Sequence, residues 1–340
     1  MLVPRLVLAP LADFTDSPFR IMALVGGADA TCTEMVSAAA LAHSHNPTRI
    51  LLATLPDEPP PACQIFGANE SDIAHAARDV SRLANRFSEL NLNAGCPMTK
   101  VTRSGAGAEL VKSPDKVYRL MTAMRENTDL PVTLKTRLGP NPATPTIHEL
   151  VDAAVSAGAK SVVVHARFTS QMHSGPTHLD ILADVVRRSP IPIIGNGSIV
   201  DGASAVAMAA TGVSGLMIGR AALSRPEIFS GIRRAFSGEL PSSGAPSLER
   251  AKELFRRHLD LVVKFHSHLA NTLPDVRLPS LDAFAALKIR THLFRYFSGI
   301  PGAAALRAKF NSVRSLSDLE FLQRDEKFHA PTSQEGGNMI

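Results

Sequence analysis

The 340-residue sequence predicts an α/β chain, a (β/α)8 TIM barrel followed by a small all-helical C-terminal domain. Three observations carry this. Eight short β-branched runs alternate with longer segments of helical period up to about residue 236. Polar or reactive residues stand at the C-terminal end of nearly every run: Glu34, Gln64, Asn91 and Asn93, Lys135, His165, Asn196 and Arg220. A barrel gathers such ends around one pocket. Finally, the first run leads into Ala9-Pro10-Leu11-Ala12-Asp13, without the glycine-rich fingerprint of a doubly wound sheet.

In chain order the expected strands are Leu6–Ala9, Thr31–Val36, Ala62–Phe66, Phe87–Leu92, Val132–Lys135, Ser161–His165, Ile191–Gly195 and Gly215–Ile218. Helical period covers Ser71–Ala84, Pro114–Asn127, Ile147–Ala157, Leu179–Arg188 and Gly202–Thr211. Ser113 before Pro114 reads as an N-cap with proline at the first helical position, where no donor is lost. Ala157-Gly158 and Thr211-Gly212 read as helix ends. The stretch from Ser237 to Pro246 is linker-like, and beyond it Ser247–Leu269, Ser280–Phe297 and Ala303–Val313 regain helical period before a short Asp318–Arg324 turn. The expected divisions are a barrel over 1–240, a helical domain over 241–330 and a disordered tail over 331–340.

Composition narrows the class. Hydrophobic residues at 45% and charged residues at 20% suit a soluble globular protein, and no run approaches the roughly 20 apolar residues of a membrane span. Met1 to Arg5 lead at once into a strand-like run, so no signal peptide is expected. Cys32, Cys63 and Cys96 form no close pair, which argues against disulfides or a zinc knuckle and for a cytoplasmic setting. Residues 1–244 hold 22 basic against 21 acidic side chains, whereas residues 245–340 hold 14 against 10. The basic excess therefore sits in the last quarter, as either a solvated helical surface or a contact for a polyanion.

Chemistry concentrates at the strand ends. Gly195-Asn196-Gly197-Ser198 and Gly219-Arg220 follow the last two strands, where small residues let backbone N–H groups approach a phosphate and the next helix N-terminus favours an anion. Arg220 adds a charge. Lys135 facing into a barrel needs a partner or a task, either as a Schiff-base amine or as a cation beside a reduced flavin. His165 and Arg167 share a face of the next strand. Gly95 and Pro97 constrain the loop that carries Cys96, with the Asn93 amide near, so this thiol is aimed rather than buried. Cys32 and Cys63 lie in apolar runs and read as small hydrophobes.

The ordered series from Ala9 to Arg20, then Gln64 to Gly67, Asn91 to Val101, Lys135 to Gly139, His165 to Arg167 with Gln171, Gly195 to Gly197 and Gly219-Arg220 resembles the motifs of tRNA-dihydrouridine synthases. Lys288 to His292 and Ala303 to Arg307 resemble that family's helical tRNA-binding domain. The resemblance implies an FMN enzyme reduced by NADPH, with tRNA as partner; no metal and a monomeric protein are separate expectations. It places the flavin ring on Pro10, Leu11, Ala12, Gln64, Lys135 and His165, and the phosphate on Asn196, Gly197, Ser198, Gly219 and Arg220. It makes Cys96 catalytic, with Asn93 and Arg167 as candidates for the substrate edge. The uracil C5=C6 bond is conjugated to the C4 carbonyl, so a hydride adds at C6 and C5 then takes a proton from a positioned acid. The uridine must leave its stack to reach the flavin. The sequence departs from the usual family pattern at Leu11, Asp13, Asn91 (commonly aspartate) and His173 (commonly tyrosine). A flavin barrel acting on a free pyrimidine, a Lys135 aldolase and a non-enzymatic RNA-binding protein are the alternatives at this point.

Overall fold

The structure, a computed structural model, describes residues 3–43, 46–239, 247–300 and 303–322. Eight strands run β1 (Arg5–Leu8), β2 (Cys32–Ser37), β3 (Ala62–Phe66), β4 (Glu89–Ala94), β5 (Val132–Arg137), β6 (Val162–His165), β7 (Ile193–Asn196) and β8 (Gly215–Ile218). All ladders are parallel, in the order β1-β8-β7-β6-β5-β4-β3-β2. A parallel bridge between Val7 and Ala30 and the Leu8 N–H to Ala30 carbonyl bond bring the two end strands together. The expected TIM barrel is the observed fold.

The two-residue alternation of strands decides what enters the barrel. On β4, Leu90, Leu92 and Ala94 are fully buried beneath the helices, while Glu89, Asn91 and Asn93 share the opposite face. On β5 the alternation puts Thr133, Lys135 and Arg137 together. The interior is divided. Val7, Ala9, Val163 and Met217, with Ala30 and Ile194, form an apolar cluster. The β3–β5 side is lined by the buried polar groups Gln64, Asn91, Asn93 and Thr133.

Helices cover the outside: α1 (Ser17–Val25), α2 (Ala38–Ala42), α3 (Glu70–Ser81), α4 (Thr99–Thr102), α5 (Pro114–Arg125), α6 (Ile147–Ser156), α7 (Leu179–Arg188), α8 (Gly202–Ala209), α9 (Arg220–Ser224) and α10 (Ile228–Phe236). Five of these, α1, α2, α4, α9 and α10, lack a sequence expectation; none exceeds nine residues, a short window for a sustained period. Three expectations need correction. The Ser113 side chain makes no cap hydrogen bond; instead its carbonyl accepts from Lys116 and Val117 N–H groups. Strands β2, β4, β5 and β7 end one or two residues later than expected, and β4 and β7 also begin two later, because pairing with a neighbour, a non-local event, sets their ends. The third concerns α8, whose N-terminus is closed by its own sequence: Asp201 Oδ1 accepts from Ser204 N–H at 2.8 Å and the Ser204 hydroxyl returns the bond. That helix end already carries a carboxylate and is not free for a phosphate. The glycine expectations hold, Gly158 and Gly212 both taking φ +86° just past their helices.

The described chain divides into two compact units, Met1–Ser242 with Leu273–Val276, and Ser243–Thr272 with Arg277–Ile340. The return of 273–276 to the first unit departs from the contiguous division expected. The second unit contains α11 (Leu248–Thr272), α12 (Leu281–Tyr296) and α13 (Ala303–Ser312), closed by a 3-10 turn over Ser317–Leu322. Inside it the Tyr296 hydroxyl lies 2.9 Å from His258 Nδ1, both buried. Most of the expected linker, the end of the Asp318–Arg324 turn and the whole 331–340 tail lie outside the described residues. No described helix is long and apolar enough to cross a membrane.

Candidate active site

A cavity of about 260 Å³ opens where the C-terminal strand ends meet. Every residue expected to be catalytic or to hold cofactor or substrate lines it: Pro10, Leu11 and Ala12 after β1; Gln64 on β3; Asn93 and Cys96 at the end of β4; Lys135 on β5; His165 and Arg167 at β6; Asn196, Gly197 and Ser198 at β7; Gly219 and Arg220 after β8. Arg137, Met35, Met98 and Met217 also line it. Arg137 lies within reach of the sequence, two residues past Lys135 on the same strand face. It escapes the sequence reading only because that strand is expected to end at Lys135.

Each wall is held from behind. Leu11 N–H donates to Thr15 Oγ1 at 3.0 Å, and the Thr15 carbonyl accepts from Arg20 Nη1 at 2.8 Å. Asp13 takes φ +67°, a left-handed backbone that residues other than glycine rarely adopt, and donates its N–H to Glu34 Oε2 at 2.6 Å. The Cys96 loop is fixed from two sides. Asn93 Oδ1 accepts the Gly95 and Cys96 N–H groups at 3.1 and 3.0 Å. The buried Arg137 donates from Nε to the Gly95 carbonyl at 2.7 Å and from Nη1 to the Met172 carbonyl at 2.7 Å. Cys96 is half-buried, whereas Cys32 and Cys63 are buried. Burial raises the Cys32 thiol well above its usual range, and pushes the Cys63 thiol up to about 12, so both are inert hydrophobes.

The opposite wall is cationic. Lys135 Nζ donates to Asn196 Oδ1 at 3.2 Å, an oxygen turned inward because Asn196 Nδ2 donates to the Met217 carbonyl. Arg167 spans Gly175, Ser198 and His165, its Nη1 lying 3.2 Å from His165 Nε2. Burial first, then Lys135, Arg137 and Arg167, drives the His165 pKa far below the imidazole range. The ring is neutral, and since a guanidinium only donates, Nε2 accepts and Nδ1 carries the proton. Burial also lowers His173, with Arg137 and Arg220 adding to it. Arg220 Nη2 reaches the His173 carbonyl at 3.4 Å. Lys135, Arg137, Arg167 and Arg220 thus face one cavity with no carboxylate among its described lining residues.

Burial, then Arg137, lowers the Lys135 pKa to about 8. The unfolded chain therefore binds more protons between about pH 8 and 10.5, and this lysine costs the fold about 3 kcal/mol below pH 8. Lys135→Met is expected to stabilise the ligand-free protein by up to that amount at pH 7. The gain should fade as pH rises from 8 towards 10.5. Denaturant unfolding across that range tests it; an unchanged or lowered stability at pH 7 would remove the buried-cation reading.

The family model described as "Dihydrouridine synthase (Dus)" matches residues 7–331. The chain belongs to the dihydrouridine synthase family. A probable tRNA-dihydrouridine synthase of Mycobacterium tuberculosis (strain H37Rv) is 31% identical over 333 residues, covering 94% of this chain and 82% of the relative. Another probable tRNA-dihydrouridine synthase, from Rhodobacter capsulatus, is 31% identical over 311 residues, covering 91% and 95%. The tRNA-dihydrouridine synthase B of Escherichia coli K12 is 34% identical over 238 residues, covering 69% and 74%. As a dihydrouridine synthase family member the protein is an oxidoreductase, which removes the aldolase and the purely binding readings. Among the described residues no group of three or more metal-ligating side chains converges.

Proposed function

We propose that the protein reduces uridine in tRNA to 5,6-dihydrouridine in the cytoplasm, using FMN bound at the barrel mouth and NADPH as reductant. The observation that carries the proposal is the single cavity in which Cys96 faces four cationic side chains and no described carboxylate, within a dihydrouridine synthase chain. The lining suits an anionic, planar cofactor. At Gly219 a Cβ would make only ordinary van der Waals contact, with Ala9 and Leu11 at 3.8 and 3.9 Å, so the β8 loop is uncrowded there. Gly197 at φ +119° and Ser198 at φ +51° turn the β7 loop in a way ordinary side chains resist.

Bound there and reduced, FMN supplies the hydride for uracil C6. The chain's own residues do the rest. Asn196, Gly197, Ser198, Gly219 and Arg220 hold the phosphate; with α8 capped by Asp201, the load falls on these loops and on Arg220 rather than on that helix. Pro10, Leu11, Ala12, Gln64 and the neutral His165 hold the ring, and Lys135 offsets negative charge as it accumulates. Cys96 delivers its proton to C5, and the Arg137 guanidinium, whose field reaches Cys96, faces the charge left on sulfur. Asn93 and Arg167 meet the polar edge of the base. The helical unit binds the tRNA.

The absorption spectrum of the purified protein, and its titration with FMN, tests the cofactor; a colourless protein that refuses FMN sinks the proposal. Dihydrouridine in tRNA after incubation with FMN and NADPH tests the reaction, with free uridine as the control. In the helical unit, Arg257 and Lys264 are exposed and lie seven residues apart on one face of α11. Reversing both to glutamate is expected to weaken tRNA binding and to flatten the dependence of log K on log salt, by about one unit for each phosphate no longer neutralised. An unchanged salt slope would place the tRNA elsewhere.

A further inference from the structure

A chain of buried hydrogen bonds runs from the Cys96 loop down the inner face of β3, β4 and β5. The Gly95 and Cys96 N–H groups donate to Asn93 Oδ1. Asn93 Nδ2 donates to Gln64 Oε1 at 2.8 Å, and Gln64 Nε2 donates to Asn91 Oδ1 at 2.7 Å. Asn91 Nδ2 donates to Thr133 Oγ1 at 2.8 Å, and the Thr133 hydroxyl donates to Glu89 Oε1 at 3.2 Å. The register makes this possible, since Gln64, Asn91 and Thr133 stand level on adjacent strands. Asn91 and Thr133, below the cavity lining, are 3% and 1% exposed, so water does not substitute there for a missing partner.

The polarity of this chain is determined from both ends. Backbone N–H groups can only donate, so Asn93 must present its oxygen to the Cys96 loop and its nitrogen to Gln64. A carboxylate can only accept, so Thr133 donates to Glu89 and must accept from Asn91. Of an amide and a carboxylate at position 91, only the amide accepts from Gln64 and donates to Thr133 at once. A carboxylate there, the commoner residue of the resemblance, would satisfy Gln64 but leave Thr133 with two acceptors and Glu89 with a second negative charge close by.

We infer that Asn91 is a positioning residue whose amide, matched to Thr133 and Glu89 below it, fixes the orientation of the Gln64 amide and, through Asn93, the loop that aims Cys96. The inference deepens the proposed function and rests on it for the roles of Gln64 and Cys96. It makes Asn91 and Glu89 a coupled pair, in which the column tolerates one carboxylate but not two.

The test uses the full chain and two readouts. One is the alkylation rate of Cys96 by iodoacetamide without cofactor, which reports the loop alone because Cys32 and Cys63 are buried. The other is the split of kcat and KM for tRNA reduction in the FMN-loaded protein. Asn91→Asp is expected to change the alkylation rate severalfold and to lower kcat by about ten- to a hundredfold, with KM for tRNA nearly unchanged. In Glu89→Gln/Asn91→Asp, Thr133 donates to position 91 and accepts from position 89, so both readouts should return most of the way to wild type. Thr133→Val should resemble Asn91→Asp and Thr133→Ser should resemble wild type, which keeps the test open if Asn91→Asp fails to fold. Wild-type values in Asn91→Asp or in Thr133→Val, or a double variant no better than the single one, would overturn the inference. A wild-type protein that binds no FMN while the alkylation pattern holds would overturn the functional proposal and leave the column standing.

Discussion

Cys96→Ala is expected to cut dihydrouridine formation by about 10²- to 10⁴-fold while FMN binding stays close to wild type, the usual loss when a positioned general acid is removed. The physical basis is separation of tasks. The phosphate and ring contacts proposed for the cofactor come from β1, β3 and β5–β8, whereas Cys96 sits on the loop after β4. That loop is held by Asn93 and Arg137 through its backbone, so deleting the sulfur leaves the scaffold in place. Single-turnover reaction of the reduced enzyme with tRNA isolates the step from cofactor reduction. A variant that reduces tRNA uridine at the wild-type rate would take the acid role away from Cys96.

Glu58→Ala should be the most damaging change away from the cavity. Arg20 and Glu58 form an ion pair at 2.5 Å with side chains 1% and 0% exposed. The Ser17 hydroxyl donates to the same carboxylate, and Arg20 also donates to the Thr15 and Ala53 carbonyls. Removing the carboxylate leaves a guanidinium buried without its counter-charge, at a cost of about 3–5 kcal/mol. Because Arg20 supports Thr15 and Thr15 supports Leu11, the Pro10–Ala12 wall should loosen too, and FMN affinity should fall along with stability. Denaturant unfolding of the barrel unit and FMN titration measure the two effects. Arg20→Met/Glu58→Leu should recover much of the stability, since an apolar pair leaves no charge stranded. A loss below about 1 kcal/mol in Glu58→Ala would show the pair to be hydrated rather than buried.

The two examples differ in how far the sequence foretells them. Cys96 is legible because Gly95 and Pro97 are local restraints beside a reactive side chain. Glu58 is not, because nothing local in Leu55-Pro56-Asp57-Glu58-Pro59-Pro60-Pro61 marks it out until a distant helix brings Arg20 to it. The α8 N-terminus shows the converse. The Asp201–Ser204 capping box is written in the sequence, yet the general preference of barrel helices for anions points the other way.

What the sequence by itself determined was set by short-range period and residue type. Residue type at the C-terminal ends of the expected strands singled out Asn93, Lys135, His165 and Asn196, and glycines marked the loops, so the barrel and the cavity residues named from the sequence follow from local pattern. What only the tertiary structure decided were relations between strands. Examples are Arg137 bracing the Cys96 loop, the neutral tautomer of His165 under Arg167, and an amide rather than a carboxylate at Asn91 in register with Gln64 and Thr133. The physical reason is that a buried polar group is defined by its partner. In a parallel barrel that partner comes from a neighbouring strand some 27 to 42 residues away in the chain, as for Gln64 with Asn91 and Asn91 with Thr133.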